Sequence, residues 1–195
     1  MKQKLSIIIL TLATVIFGAV SIDAKSKADD AYIKKVRQIY SNSVNASKDE
    51  YTAHMACTAN HILPATGMQN VKFDFYYQID GPDDVHDSTI ISNVFLIRLS
   101  YNFAARNFYE EYLFDDKGNL IFFYQSGDGI LDDYEKTEFR YYFKPNGALV
   151  YANQKDSNGG KVVRNTDLKG GGQLVDEAHA NANKYVAALK NLFLL

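Results

Sequence analysis

The sequence predicts an α+β domain: an antiparallel meander of roughly six strands, with N- and C-terminal helices packed on one face of the sheet. Three observations predict it. Apolar residues recur at three- and four-residue spacing near the two ends of the chain, and the spacing drops to two between Val71 and Tyr151. Within that middle region, FDDKGNLIFFYQ (Phe114 to Gln125) and FKPNGALVYANQ (Phe143 to Gln154) repeat one phrase, with Phe, Gly, Leu and Gln in matching places.

The chain opens with Lys2 and Lys4 ahead of an apolar run from Leu5 to Val20, followed by the small residues Ala19-Val20-Ser21. This is the pattern of a secretory signal peptide, too short in its apolar run for the roughly 20 residues that span a bilayer. The segment 1–21 is therefore expected to be removed, with the cut after Ser21 or after Ala24, leaving 25–195 as a single domain. Neither cut precedes a cysteine that could carry a lipid, so the expected product is periplasmic or secreted and not inserted in a membrane.

A cut after Ser21 removes the two leading lysines and takes the formal charge from −2 to −4, which leaves no basic footprint for nucleic acid. Cys57 is the only cysteine, so no intramolecular disulfide can staple the fold and stability has to come from a packed core. The 12 Phe and 14 Tyr, with no Trp, supply that core in a form that favours strands.

The elements follow in order. Asp29 or Asp30 can cap a helix in which Tyr32, Ile33, Val36, Ile39, Tyr40 and Val44 share one face. The stretch YTAHMACTANHILPATGMQN has no clean period and is broken by Pro64 and Gly67, which reads as a linker with a short helical turn. Val71, Phe73, Phe75, Tyr77 and Ile79 then alternate with polar residues in a half-buried strand. The next strand sets Phe95, Ile97, Leu99, Tyr101 and Phe103 on one face against Val94, Leu96, Arg98, Ser100 and Asn102 on the other. A third, from Asn107, runs into the first repeat phrase.

Asp115-Asp116-Lys117-Gly118 and Lys144-Pro145-Asn146-Gly147 are turn sequences, each with Gly where a positive φ is needed. Each phrase therefore reads as a β-hairpin, with Leu120 and Leu149 in equivalent core positions. Past a glycine-rich connection, Leu174, Ala178, Ala182, Tyr185, Leu189 and Leu192 mark the closing amphipathic helix.

Few motifs carry chemistry. His54, Cys57 and His61 have residue types that can ligate zinc, but no fourth ligand is evident and a small cluster around a buried cysteine fits as well. Glu110 and Glu111 are adjacent on a strand and face opposite ways, so they cannot flank one glycosidic bond. The segment from Gly127 to Glu135 offers Asp128, Asp132, Asp133 and Glu135 without the spacing of a calcium loop. No G-x-S-x-G elbow occurs. No catalytic residue, metal or cofactor is assigned.

What stands out is a polar-aromatic patch on the face opposite the expected core, Tyr76, Arg98, Arg140 and Tyr142, with Glu138 beside them. Aromatic rings with guanidinium groups are the chemistry proteins use to grip partners. The run YNFAARNFYEEYLFDDKGNLIFFY, together with the leader and the closing helix, resembles small exported proteins of unknown function from Bacteroidetes-type bacteria. The F-x-x-x-G-x-L phrase also resembles units of secreted bacterial repeat proteins. The resemblance implies export and supplies no reaction or catalytic residue. The reading is an exported, non-enzymatic binding protein for a protein or glycan partner. The alternatives are a hydrolase of glycan or cell-wall material and a carrier of a small apolar ligand.

Overall fold

A computed structural model describes residues 27–80, 90–128, 136–156 and 172–192. The leader, both cut positions, and Asp132, Asp133 and Glu135 lie outside these residues. The elements are α1 (Lys27–Ala46), β1 (Ala53–Leu63), β2 (Gly67–Asp80), β3 (Ile90–Phe103), β4 (Arg106–Phe114), β5 (Leu120–Asp128), β6 (Lys136–Phe143), β7 (Leu149–Asp156) and α2 (Gly172–Leu192). The strands pair in chain order, each antiparallel to the last, in one seven-stranded sheet.

The seventh strand is β1, in the stretch expected to be a linker. It pairs with β2 along its whole length, from Ala53↔Tyr77 to Leu63↔Gly67. Being an edge strand, it is held by backbone hydrogen bonds on one side, and beyond Cys57 most of its side chains are exposed. Ala53, Met55 and Cys57 pack against the α2-side core, but beyond them neither face is covered, and so short an alternating stretch carries no readable period.

The expectation that both helices share one face is corrected. Ile33 and Val36 of α1 pack on Tyr76, Leu96, Leu113, Ile121, Phe122 and Tyr142. Ala178, Ala182 and Leu189 of α2 pack on the other face, against Phe75, Ile97, Tyr112, Phe123, Tyr141 and Phe143. The reason is visible in runs such as Tyr112-Leu113-Phe114 and Leu120 to Phe123, which are buried at consecutive positions. A strand that is apolar on both sides needs cover on both sides. Leu192, assigned to the apolar stripe of α2, is exposed.

A bulge in β3 corrects one more detail. Tyr76 pairs with Leu96 while its neighbour Tyr77 pairs with Val94, so Phe95 is the extra residue. Val94 consequently joins the α2 layer, and Phe95 packs in the α1 layer instead of beside Ile97.

The repeated phrases are matching hairpins, β4–β5 and β6–β7. In the first, Gly118 N–H donates to Asp115 O and Asp115 N–H to Asn119 O, both at 3.0 Å; in the second, Gly147 donates to Lys144 O and Lys144 to Ala148 O, both at 2.8 Å. Both skip one residue, at Leu113↔Phe122 to Phe114↔Leu120 and at Tyr142↔Tyr151 to Phe143↔Leu149. Gly118 and Gly147 have φ of +78° and +83°. A side chain in that left-handed region costs about 1–2 kcal/mol, which is why glycine occupies both places.

Candidate functional site

Sheet register decides which polar side chains meet on the α1 face. One cross-strand row reads Tyr76, Leu96, Leu113, Phe122, Tyr142 and Tyr151, and α1 lies on it. The adjacent row reads Asp74, Arg98, Glu111, Tyr124, Arg140 and Asn153. The apolar row fixes the helix, and the polar row runs beside it.

Helix α1 is tied down near both ends. The Tyr32 hydroxyl donates to Phe143 O at 2.7 Å, and Arg98 Nη1 donates to the Ser47 hydroxyl at 3.3 Å. Along one flank of the helix, Val36, Arg37 and Tyr40 face Tyr109, Glu111, Phe122, Tyr124, Arg140 and Tyr142 across a cavity of about 330 Å³. That volume is at the small end for ligand sites.

Glu111 forms the acidic part of its wall. It is 4% exposed and accepts hydrogen bonds from the Tyr40 and Tyr109 hydroxyls, both at 2.5 Å, and from Arg98 Nε at 3.1 Å. Burial works against the charge on Arg98, but Tyr109 and Glu111 outweigh it and hold the guanidinium protonated. Arg140 Nη2 donates to Glu138 at 2.8 Å, and its guanidinium lies 5.0 Å from the Tyr124 ring centre. Arg37 Nε donates to the Tyr142 hydroxyl at 3.3 Å and sits 5.8 Å from that ring.

All four residues of the sequence-derived patch lie on this one face, but the face is not the solvated one expected. Tyr76 and Tyr142 are buried in the α1 layer. Arg98 is consumed by Glu111, Ser47 and the Tyr76 hydroxyl at 3.5 Å, and His54 stacks on the Tyr76 ring. Only Arg140 and Tyr142 of the four line the cavity. Sequence reasoning misses Arg37 and Tyr40, which read as outward and core positions of an ordinary helix, and it misses Glu111 as a buried acceptor.

On the opposite face Glu110 is the counterpart of Glu111. It is 5% exposed and accepts from Tyr112 at 2.5 Å and from Tyr101 and Gln125 at 3.0 Å. The adjacent acids do face apart, one in each layer, and each is enclosed by phenols.

The zinc-type triplet is dispersed: His54 pairs opposite Tyr76 and bonds Asp74 at 3.0 Å, while Cys57 is an odd number of residues away on the other face of β1. Among the described residues no group of three or more His, Cys, Asp or Glu side chains is gathered as metal ligands. Asp128, from the candidate calcium loop, accepts from Asn107 N at 3.0 Å. No described helix is long and apolar enough to cross a membrane.

The phenols predict a pH response. Burial pushes Tyr141 and Tyr185 up to about 12, and burial with Glu110 or Glu111 nearby raises Tyr40, Tyr101, Tyr109 and Tyr112 further. The unfolded chain ionises at the ordinary value near 10, so the stabilisation is complete below that pH and is lost as pH rises through about 12. Tyrosinate absorbance should lag behind free tyrosine and then climb together with loss of secondary structure. Smooth titration of every phenol near pH 10 with the fold intact would contradict these environments.

Comparison with protein-family models, with curated proteins and with solved structures finds no match. The functional reading therefore rests on the site itself.

Proposed function

We propose that this chain is an exported, non-enzymatic binding protein, acting in the periplasm or outside the cell, whose ligand enters the cleft between α1 and the sheet. Export is supported by the leader pattern at Lys2 to Ser21. The observation that carries the binding reading is the convergence of Arg37, Arg140 and five aromatic rings on one cavity beside a fixed helix. Its size suits a glycan unit or another small molecule better than a folded partner.

The hydrolase alternative needs a carboxylate pair free to act across one bond. Here Glu111 is buried and engaged by three donors and Glu138 is paired with Arg140, which favours binding over catalysis. The apolar-carrier alternative is less well supported, because guanidinium and phenol groups line the cleft.

Non-denaturing mass spectrometry of protein recovered from its native host's periplasm or medium tests the reading. A small-molecule adduct is expected on the wild type and not on the double variant Arg37→Ala/Arg140→Ala, with the two melting alike. Equal adducts on both proteins, or bare wild-type protein from both compartments, would count against it.

A further inference from the structure

We infer that the cleft ligand carries a carboxylate on a six-membered ring, a deduction that rests on the binding role proposed above. It follows from which hydrogen-bonding groups are already committed. Glu111 has three donors, and two of the phenols lining the cavity, Tyr40 and Tyr109, spend their protons on it. Arg37 uses Nε on the Tyr142 hydroxyl and lies over that ring, and among the described residues its two terminal nitrogens donate no hydrogen bond. Arg140 uses one nitrogen on Glu138. The polar capacity left at the cavity is therefore dominated by guanidinium N–H groups, donors whose fork matches a two-oxygen anion, and we take a carboxylate as that anion.

The rest of the wall selects the ligand's body. Phe122, Tyr124 and Tyr142 with Val36 provide aromatic and aliphatic surface, and about 330 Å³ accommodates one ring with its substituents. Helix α1 contributes Arg37 and β6 contributes Arg140, so the carboxylate would be held between helix and sheet while the ring lies along the aromatic row. The charged groups around this position are Arg37, Arg140, Arg98, Glu111 and Glu138, with Asp30 acting on Arg37 from further along α1. Guanidinium groups stay protonated throughout the accessible range, so binding should be flat from neutral pH downward until the ligand's own carboxylate is protonated.

Two sources of such a ligand are sugar acids and aromatic acids, and matched neutral compounds separate them. The wild-type chain would be titrated with D-glucuronate and D-glucose, and with benzoate and benzamide. Backbone and arginine Nε–H resonances would be followed by NMR. One acid should shift residues 36–40, 122–124 and 140–142 and both arginine Nε–H signals, at least tenfold more tightly than its neutral partner. Arg37→Gln and Arg140→Gln should each weaken it about tenfold. Which acid binds assigns the source.

Neutral compounds binding at the cleft as tightly as the acids would overturn the carboxylate inference and leave the cleft as a binding site. An acid that shifts residues elsewhere, with the cleft unmoved, would overturn both. If none of the four probes produces shifts, the carboxylate-on-a-ring inference falls, and the adduct experiment decides the binding role separately.

Discussion

Glu111→Ala should cost roughly 3–5 kcal/mol, the range seen when one partner of a buried ion pair is removed. The carboxylate is 4% exposed and is the shared acceptor of Arg98, Tyr40 and Tyr109. Removing it strands a largely buried guanidinium and two phenolic donors under α1. The partial exposure of the Arg98 side chain, at 21%, lets water relieve some of that penalty, which favours the lower end of the range. Chemical denaturation is the check, with Arg98→Met/Glu111→Leu as the companion. Removing both charges together should recover much of the loss, because no uncompensated ion remains. A single variant as stable as wild type would mean that water reaches Glu111 freely and that the α1 layer is not closed over it.

In the other layer the largest effect is expected at Tyr112. It is wholly buried, packs against Phe123 with ring centres 5.0 Å apart and edge-on to Tyr185 at 5.6 Å, and donates to Glu110 at 2.5 Å. Tyr112→Ala removes an aromatic ring from the centre of the sheet–α2 core, a change that costs about 3–5 kcal/mol in comparable cores. It also leaves Glu110 short of one of its three donors. Tyr112→Phe keeps the ring and loses only the charge-assisted hydrogen bond, worth about 1.5–3 kcal/mol. Since a domain of this kind has only about 5–15 kcal/mol in hand, the alanine variant should be on the edge of unfolding at ambient temperature. Equal effects of the two variants would assign the whole cost to the hydroxyl, and a negligible effect of phenylalanine would mean Glu110 is satisfied otherwise.

The helices and the hairpin repeat were legible because each writes its geometry in residue spacing. Ile33 and Val36 are buried on α1, Ala178, Ala182 and Leu189 on α2, and the two turn glycines adopt the positive φ that their position after the turn implied. β1 was not legible because an edge strand exposed on much of both faces leaves no alternation. The second helix layer was hidden by the same reasoning in reverse. Val71 to Ile79 alternates, but β4 and β5 do not, and their consecutive buried residues were the signal that two covers are needed.

The site was legible only in part. Strand phase brought Tyr76, Arg98, Arg140 and Tyr142 to one face, because a period of two is reliable wherever one side is apolar. Which of them stay open to a ligand depends on where α1 lies and on Glu111, and a carboxylate in a sequence is read as solvated until its phenol neighbours are known. The abundance of tyrosine without tryptophan was the one hint: phenols can donate to buried acids while filling a core.

Hydrogen–deuterium exchange, comparing the protein alone with the protein in extract from its native host, tests the central claim most directly because it responds to any cleft ligand, whatever its chemistry. Binding in the cleft predicts slowed exchange confined to segments 36–40, 109–111, 122–124 and 140–142. Slowed exchange at the β1–β2 and β3–β4 hairpin ends, around 58–72 and 100–108, with the cleft segments unchanged, would contradict it and place recognition at the far end of the sheet.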